Sequence, residues 1–95
     1  QYLLAVDRNN PRVAALYHGY HPALLKALRH ILAEASTLGR EVSVCGELAG
    51  DPMGAALLVG LGYRTLSMSA ANLLRVKAVL RQLTLAEMAE LAVRL

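Results

Sequence analysis

Short apolar runs of β type alternate with helical segments along this chain of 95 residues. The segments follow the order strand, helix, strand, helix, strand, helix, helix. Because two strands joined through a helix almost always run parallel by a right-handed crossover, this order predicts an α/β fold with a parallel sheet. No linker or low-complexity segment interrupts the chain, so we expect one unit over residues 1–95. The predicted strands cover residues 2–6, 41–45 and 63–69.

Proline, glycine and capping residues mark the predicted helix ends. Pro22 begins a helix that Gly39 ends, and Asp51–Pro52 supply the N-cap and first residue of another that stops at Gly62. Thr84–Glu87 has the pattern of a capping box. The remaining expectations are a short helix over 12–17, a loop over 47–50, Asn72 as the cap of a helix over 73–82, and a last helix with Leu85, Met88, Leu91 and Leu95 on one face.

Ligands of parallel α/β sheets bind beyond the carboxyl ends of the strands. This rule selects the loops at 7–10, 46–51 and 69–72 as the candidate site. Three strands cannot close a barrel, which takes eight strands and about 200 residues or more. The chain also opens on the apolar run Gln1–Val6 without an initiator Met. We therefore expect a piece of a longer protein.

Charge and composition argue against several functional classes. The net charge is +3, and the ten Lys and Arg residues form no dense run that would favour nucleic-acid binding with only four Tyr for stacking. A single cysteine excludes an internal disulfide and fits a reducing cytosol. No signal peptide is visible, and the uncharged stretches fall short of the about 20 apolar residues that span a membrane.

Cys45 is the most informative candidate for chemistry. It lies at the carboxyl end of a predicted strand, before a glycine-containing loop that leads into a helix. A thiol there can hold and donate a proton near neutral pH. The alternative is a buried cysteine that acts as a small apolar residue. Nucleophilic catalysis is disfavoured because no His lies in these loops, and one Cys with three dispersed His gives no metal-ligand spacing.

Two charged residues near other strand ends are also candidates. Arg8 follows the first predicted strand, where a guanidinium suits a phosphate or carboxylate, although an ion pair with Asp7 is equally ordinary. Glu47 can orient a ligand or Cys45, or simply be solvated. Glu47 and Asp51 together are weak support for Mg²⁺, which usually takes one or two carboxylates plus substrate oxygens.

Three segments resemble a known enzyme family over nearly the whole chain. They read QYLLAVDRNN at residues 1–10, VCGELAGDP at 44–52 and GLGYRTLSMSA at 60–70. The chain resembles the C-terminal end of phosphoenolpyruvate–protein phosphotransferase, enzyme I of the phosphotransferase system, and DRNNP is similar to its nitrogen-related branch. Pyruvate phosphate dikinase and phosphoenolpyruvate synthase share a looser version of the second segment and remain an alternative, as does a non-catalytic dimerisation module.

The resemblance implies the last part, about three βα units, of a (β/α)₈ TIM barrel that binds phosphoenolpyruvate (PEP). It implies that Cys45 is the proton donor that converts the enolate to pyruvate and that Arg8 binds the phosphate of PEP. Glu47, from its place in the loop after Cys45, is a further candidate for substrate binding. Mg²⁺ is implied as the cofactor, with its ligands upstream of this chain, so the chain alone is expected to be inactive. The implied partners are an HPr-like phosphocarrier protein and a second copy in a homodimer, in the cytoplasm.

Overall fold

The computed structural model describes residues 3–5, 7, 9–12 and 21–94. Helices and two short strands alternate through this part of the chain. In chain order the elements are α1 (Pro22–Thr37), β1 (Ser43–Val44), α2 (Glu47–Gly50), α3 (Pro52–Leu61), β2 (Thr65–Leu66), α4 (Ala70–Arg81) and α5 (Leu85–Arg94).

The two strands pair in parallel, as the alternation predicts. Ser43 lies opposite Thr65 and Val44 opposite Leu66, and α3 makes the crossover between the strands. The Ser67 N–H donates to the Val44 carbonyl over 2.8 Å and extends the pairing by one bond. Each strand is two residues long, shorter than the predicted runs, because a strand persists only where a neighbour supplies ladder hydrogen bonds. The α/β class with parallel strands is confirmed.

The first predicted strand is wrong where the structure describes it. Leu3, Leu4 and Ala5 lie in a turn, and Ala5 has a φ of 52°, which is not an extended conformation. An apolar run becomes a strand only when a neighbouring strand accepts and donates its ladder bonds, and the described residues provide no such neighbour here. The described sheet therefore has two strands where three were expected. Residues 2 and 6 of that strand, and 13–17 of the short helix, lie outside the described residues.

Helix α1 has both of its predicted ends. The His21 Nδ1 accepts a hydrogen bond from the Ala23 N–H over 3.1 Å, and Pro22 occupies the first helical position. At the other end Gly39 adopts a φ of 69°, and the Arg40 N–H reaches back to the Ala35 carbonyl over 2.8 Å. This 6→1 bond with a left-handed glycine is a Schellman motif, which satisfies carbonyls that the helix leaves free.

Helix α3 is the centre of the packing. Ala55, Ala56, Leu57 and Leu58 are all fully or almost fully buried. On one side α3 meets α5, where Met88 and Ala92 are buried. Elsewhere Leu58 clusters with buried Ala49 and Tyr63. Partly buried apolar residues from α1, α2, α3, both strands and the segment before β1 surround this cluster: Leu28, Leu32, Val42, Val44, Leu48, Leu61 and Leu66.

Two helix starts differ from expectation. Residues 47–50 form the single-turn helix α2 instead of a loop, because the Gly50 N–H donates to the Gly46 carbonyl over 3.2 Å. Helix α4 begins at Ala70 with Ser69 in the N-cap position, so the prediction of Asn72 as the cap is wrong. The Ser69 carbonyl accepts from the Asn72 and Leu73 N–H groups over 3.1 and 3.2 Å. Alanine has the highest intrinsic helix propensity, so Ala70 favours a helix that begins before Asn72.

Helix α5 starts as the capping box predicts, with the Thr84 Oγ1 accepting from the Glu87 N–H over 3.1 Å. Its inward face is Met88 and Ala92, whereas the Leu85 side chain is 57% exposed. Leu95 lies outside the described residues. In the part of the chain that the structure describes, no helix combines the length and the apolar character needed to cross a membrane.

Candidate functional site

The Cys45 thiol lies directly after β1 and is exposed and free. The interpretation of this residue as a buried apolar side chain is therefore wrong. Its chain neighbour Val44 is tied to the second strand through the Ser67 N–H. A reactive group on the end of a paired strand has a fixed backbone and open access, which suits a residue that must meet a ligand.

The turn after Cys45 depends on glycine. Gly46 has a φ of 101° and a ψ of −166°, a region that side chains with a Cβ rarely adopt. This conformation reverses the chain from β1 into α2. The Asp51 N–H then donates to the Leu48 carbonyl over 3.4 Å and closes the turn. We refer to residues 45–51 as the Cys45 turn.

The Cys45 turn is anchored on the start of α3. The Asp51 Oδ2 accepts from the Gly54 N–H over 2.9 Å, as predicted for an N-cap, and Pro52 follows it. A Cβ at Gly54 would overlap the Leu48 carbonyl oxygen and lie 2.7 Å from the Leu48 Cδ1. The backbone of the turn therefore lies directly against the first turn of α3, and no larger residue fits at Gly54.

The Cys45 turn also touches the segment that follows β2. A Cβ built on buried Gly50 would lie 3.0 Å from the Asn72 Nδ2 and 3.6 Å from its Cγ. Two of the three predicted loops, 46–51 and 69–72, are thus adjacent at the carboxyl ends of the paired strands. Asn72 was predicted only as a helix cap, and the sequence carries no signal that would reveal its contact with Gly50.

The third predicted loop, at 7–10, is organised by local hydrogen bonds. The Asp7 Oδ1 accepts from the Asn9 N–H over 2.9 Å, and the Asn10 Oδ1 accepts from the Arg12 N–H over 3.0 Å. These bonds form Asx turns, which short polar side chains favour in loops. Arg8 itself lies outside the described residues, so its predicted role in binding phosphate stays a prediction.

Glu47 occupies the first turn of α2, two residues after Cys45, and is exposed. Its place in the Cys45 turn agrees with the expected neighbourhood, while its contact with substrate stays a prediction. Within residues 3–5, 7, 9–12 and 21–94, no three His, Cys, Asp or Glu side chains come together in a group that could hold a metal ion.

A shallow surface depression of about 120 Å³ lies on α5, away from the predicted site residues. Glu87, Glu90, Leu91 and Arg94 line it. The Arg94 Nη2 donates to the Glu90 Oε1 over 2.9 Å, an exposed i,i+4 ion pair of small energetic value. None of the residues that line this depression belongs to the candidate site at the strand ends.

Comparison with known proteins places the chain in a family. Residues 1–85 match the family described as "PEP-utilising enzyme, PEP-binding domain". A protein of Escherichia coli named "Phosphoenolpyruvate-dependent phosphotransferase system" is 53% identical over 94 residues, which are 99% of this chain and 13% of that protein.

Two further relatives come from distant bacteria. A "Phosphoenolpyruvate-protein phosphotransferase" of Borreliella burgdorferi is 51% identical over 97% of this chain and 16% of that protein. A "Multiphosphoryl transfer protein" of Xanthomonas campestris is 48% identical over 97% of this chain and 11% of that protein. The chain thus spans less than one fifth of the length of these relatives. From the match over residues 1–85 and these identities, the chain belongs to the family described as "PEP-utilising enzyme, PEP-binding domain".

Proposed function

We propose that this chain is part of a PEP–protein phosphotransferase, the enzyme that transfers the phosphoryl group of PEP to one of its own histidines and then to a carrier protein. The observation that carries the proposal is the exposed Cys45 thiol at the carboxyl end of a parallel strand, in a chain that matches the PEP-binding domain. The names of the relatives from Escherichia coli and Borreliella burgdorferi support the same reaction.

In this proposal the chain supplies the last βα units of a (β/α)₈ barrel. Parallel pairing of β1 with β2 through the crossover helix α3 supports this arrangement, because it repeats the unit from which such barrels are built. The outer edges of the two strands carry hydrogen-bonding groups that neighbouring barrel strands would pair. The segment 2–6 would then form its strand against a neighbour in the complete barrel.

Cys45 would act as the acid that completes the reaction. Transfer of the phosphoryl group breaks the bond between phosphorus and the enol oxygen and forms a bond to a histidine nitrogen, which leaves the enolate of pyruvate. The Cys45 S–H then gives its proton to C3 of the enolate, forming the methyl group of pyruvate and a thiolate. Water reprotonates the thiolate before the next turnover. General acid catalysis of this kind contributes about 10²- to 10⁴-fold to a rate.

Arg8 and Glu47 would serve the substrate. The Arg8 guanidinium would bind the phosphoryl oxygens, since its planar fork of donors matches a phosphate and offsets charge that develops during transfer. Glu47 lies within the Cys45 turn and would contact the bound substrate from there. The role of Arg8 rests on the family resemblance, and both roles rest on the positions of these residues after predicted strands.

Mg²⁺ is the proposed cofactor of the complete enzyme, with ligands outside this chain. When bound, it would neutralise charge on the phosphate and the enolate oxygen. The described residues lack a metal-binding group of three, so no step in our account of this chain depends on the ion.

The proposed partners follow from the reaction. PEP and pyruvate are the small molecules, and an HPr-like phosphocarrier protein receives the phosphoryl group. A homodimer and a cytoplasmic location complete the proposal. On α5, Met88 is buried, so a dimer contact on this helix would have to use its exposed residues, such as Leu85.

The test uses the full-length protein that contains this chain. Incubated with pyruvate in D₂O, the parent enzyme should exchange the C3 protons for deuterium, and Cys45→Ala should slow this exchange about 10²-fold or more. Ser43→Ala is the matched control, because Ser43 is exposed on the same strand two residues earlier. It should exchange at the parent rate. Equal exchange by Cys45→Ala and the parent enzyme would show that Cys45 is not the proton donor.

A further inference from the structure

Asn72 is a neighbour of the Cys45 turn and has no role in the proposed reaction. Asn72 lies in the first turn of α4, half-buried, with its amide Nδ2 3.0 Å from the position that a Cβ on Gly50 would occupy. Among the hydrogen bonds of the described residues, none involves the Asn72 side chain. Its amide therefore acts at this contact through the space it occupies.

Gly50 transmits any displacement toward Cys45. Its N–H donates to the carbonyl of Gly46, the residue after Cys45, over 3.2 Å. On its other side the turn cannot retreat, because Gly54 already packs against the Leu48 carbonyl. The turn is thus held between α3 and the Asn72 amide. Gly50 is therefore linked by one hydrogen bond to the residue that follows the thiol.

We infer that Asn72 is a positioning residue for Cys45, acting through Gly50. This inference deepens the proposed function and rests on Cys45 being the proton donor of that reaction. A proton is transferred efficiently only when the S–H and the accepting carbon meet within a narrow range of distance and direction. A displacement of a few tenths of an ångström at the turn is expected to lower the rate of that step while leaving the binding of PEP nearly unchanged.

The test is a cycle of variants in the full-length protein that contains this chain. Gly50→Ala drives a methyl group into the Asn72 amide, and Asn72→Ala leaves a gap beside Gly50. In Gly50→Ala/Asn72→Ala the new methyl group occupies that gap. Each single variant should lower kcat for pyruvate formation about threefold to tenfold with KM for PEP within about twofold, and the double variant should recover to within about twofold of the parent.

A second readout does not depend on turnover. The rate at which iodoacetamide alkylates Cys45, followed by mass spectrometry of its peptide, should change about threefold in each single variant and return in the double variant. Gln82→Ala removes an amide from the other end of α4 and should change neither quantity. Asn72→Ala truncates a half-buried side chain, so it keeps the test available if Gly50→Ala does not fold.

Two results would overturn the inference: single variants that leave kcat and the alkylation rate unchanged, or a double variant whose losses are the product of the single losses. Failure of the proposed function is separate. If Cys45→Ala exchanges deuterium normally while alkylation still shows loss and rescue, the proton-donor role is wrong and the coupling between Asn72 and the turn stands.

Discussion

Tyr63 follows the carboxyl end of α3 and connects it to α1. Its hydroxyl donates to the Leu28 carbonyl over 2.6 Å, and the residue is 1% exposed. Burial raises the pKa of the Tyr63 phenol above its usual value, because the phenolate would lose its hydration. One residue therefore fills the core and satisfies its own polar group.

Removing the Tyr63 hydroxyl should weaken the fold modestly near neutral pH. Tyr63→Phe keeps the ring and deletes the hydrogen bond to Leu28, so the free energy of unfolding should fall by about 1 kcal/mol. Urea denaturation at pH 7 measures this difference. A variant as stable as the parent would mean that the 2.6 Å contact contributes nothing net.

The pH dependence of the same pair has a defined sign. The native phenol has a higher pKa than the unfolded one, so the native state holds its proton more tightly. The stabilisation is complete below pH of about 10, the unfolded pKa, and is lost as pH rises toward the native pKa. The difference in stability between the parent and Tyr63→Phe should therefore shrink above pH 10. Parallel stability curves from pH 8 to 11 would contradict it.

At the scale of elements, the parts that the sequence predicted well are those with local causes. The ends of α1, α3 and α5 follow from the capping and glycine residues beside them, such as Asp51 and Thr84. The strand predicted at 2–6 is wrong at residues 3–5, and the contact of Asn72 with Gly50 was not predicted, because the causes of both lie in distant parts of the chain. An apolar run in the sequence does not show whether a partner strand is present. A glycine in the sequence does not show which distant side chain packs against it.

Gly60 sets how closely α3 and α5 approach. A Cβ there would overlap the Met88 carbonyl oxygen and lie 3.1 Å from the Ala89 nitrogen. Both atoms are backbone of the facing helix, so relief requires the helices to separate. Gly60 is thus the reason that the buried faces of α3 and α5 can pack in direct contact.

Gly60→Ala should destabilise the fold despite the better helix propensity of alanine. Propensity alone would add about 1 kcal/mol of stability, whereas overpacking at a fixed backbone costs about 1–3 kcal/mol and separates the α3–α5 contact. Ala78→Gly, at an exposed position of α4, is the matched control that measures the propensity difference for the same pair of residues. Thermal unfolding of both variants measures the two changes in Tm. A Gly60→Ala variant with a higher Tm than the parent would rule out the close approach of α3 and α5 at Gly60.

On the scale of the whole molecule, the chain covers its core incompletely. Its accessible surface is 6725 Å², against about 5300 Å² expected of a folded monomer of this mass. Several large apolar side chains on or at the ends of different helices are exposed, among them Leu38 at 72%, Leu74 at 76% and Val93 at 78%. Such surfaces, together with open edges of a parallel sheet, are normally covered by further protein.

The chain expressed by itself should therefore associate. Unpaired strand edges and exposed apolar side chains drive self-association at micromolar concentration and above. Size-exclusion chromatography with light scattering should give a mass that exceeds 10.2 kDa and rises with concentration.

Leu38→Gln/Leu74→Gln/Val93→Thr should lower that mass, since these side chains are mostly exposed and contribute little to the internal core. Lys26→Arg/Lys77→Arg/Glu90→Asp changes exposed polar residues on the same three helices without altering charge and should behave as the parent. A parent chain that stays at 10.2 kDa over a hundredfold range of concentration would mean that its own core is sufficient, and would count against the exposed side chains as a surface that a larger barrel covers.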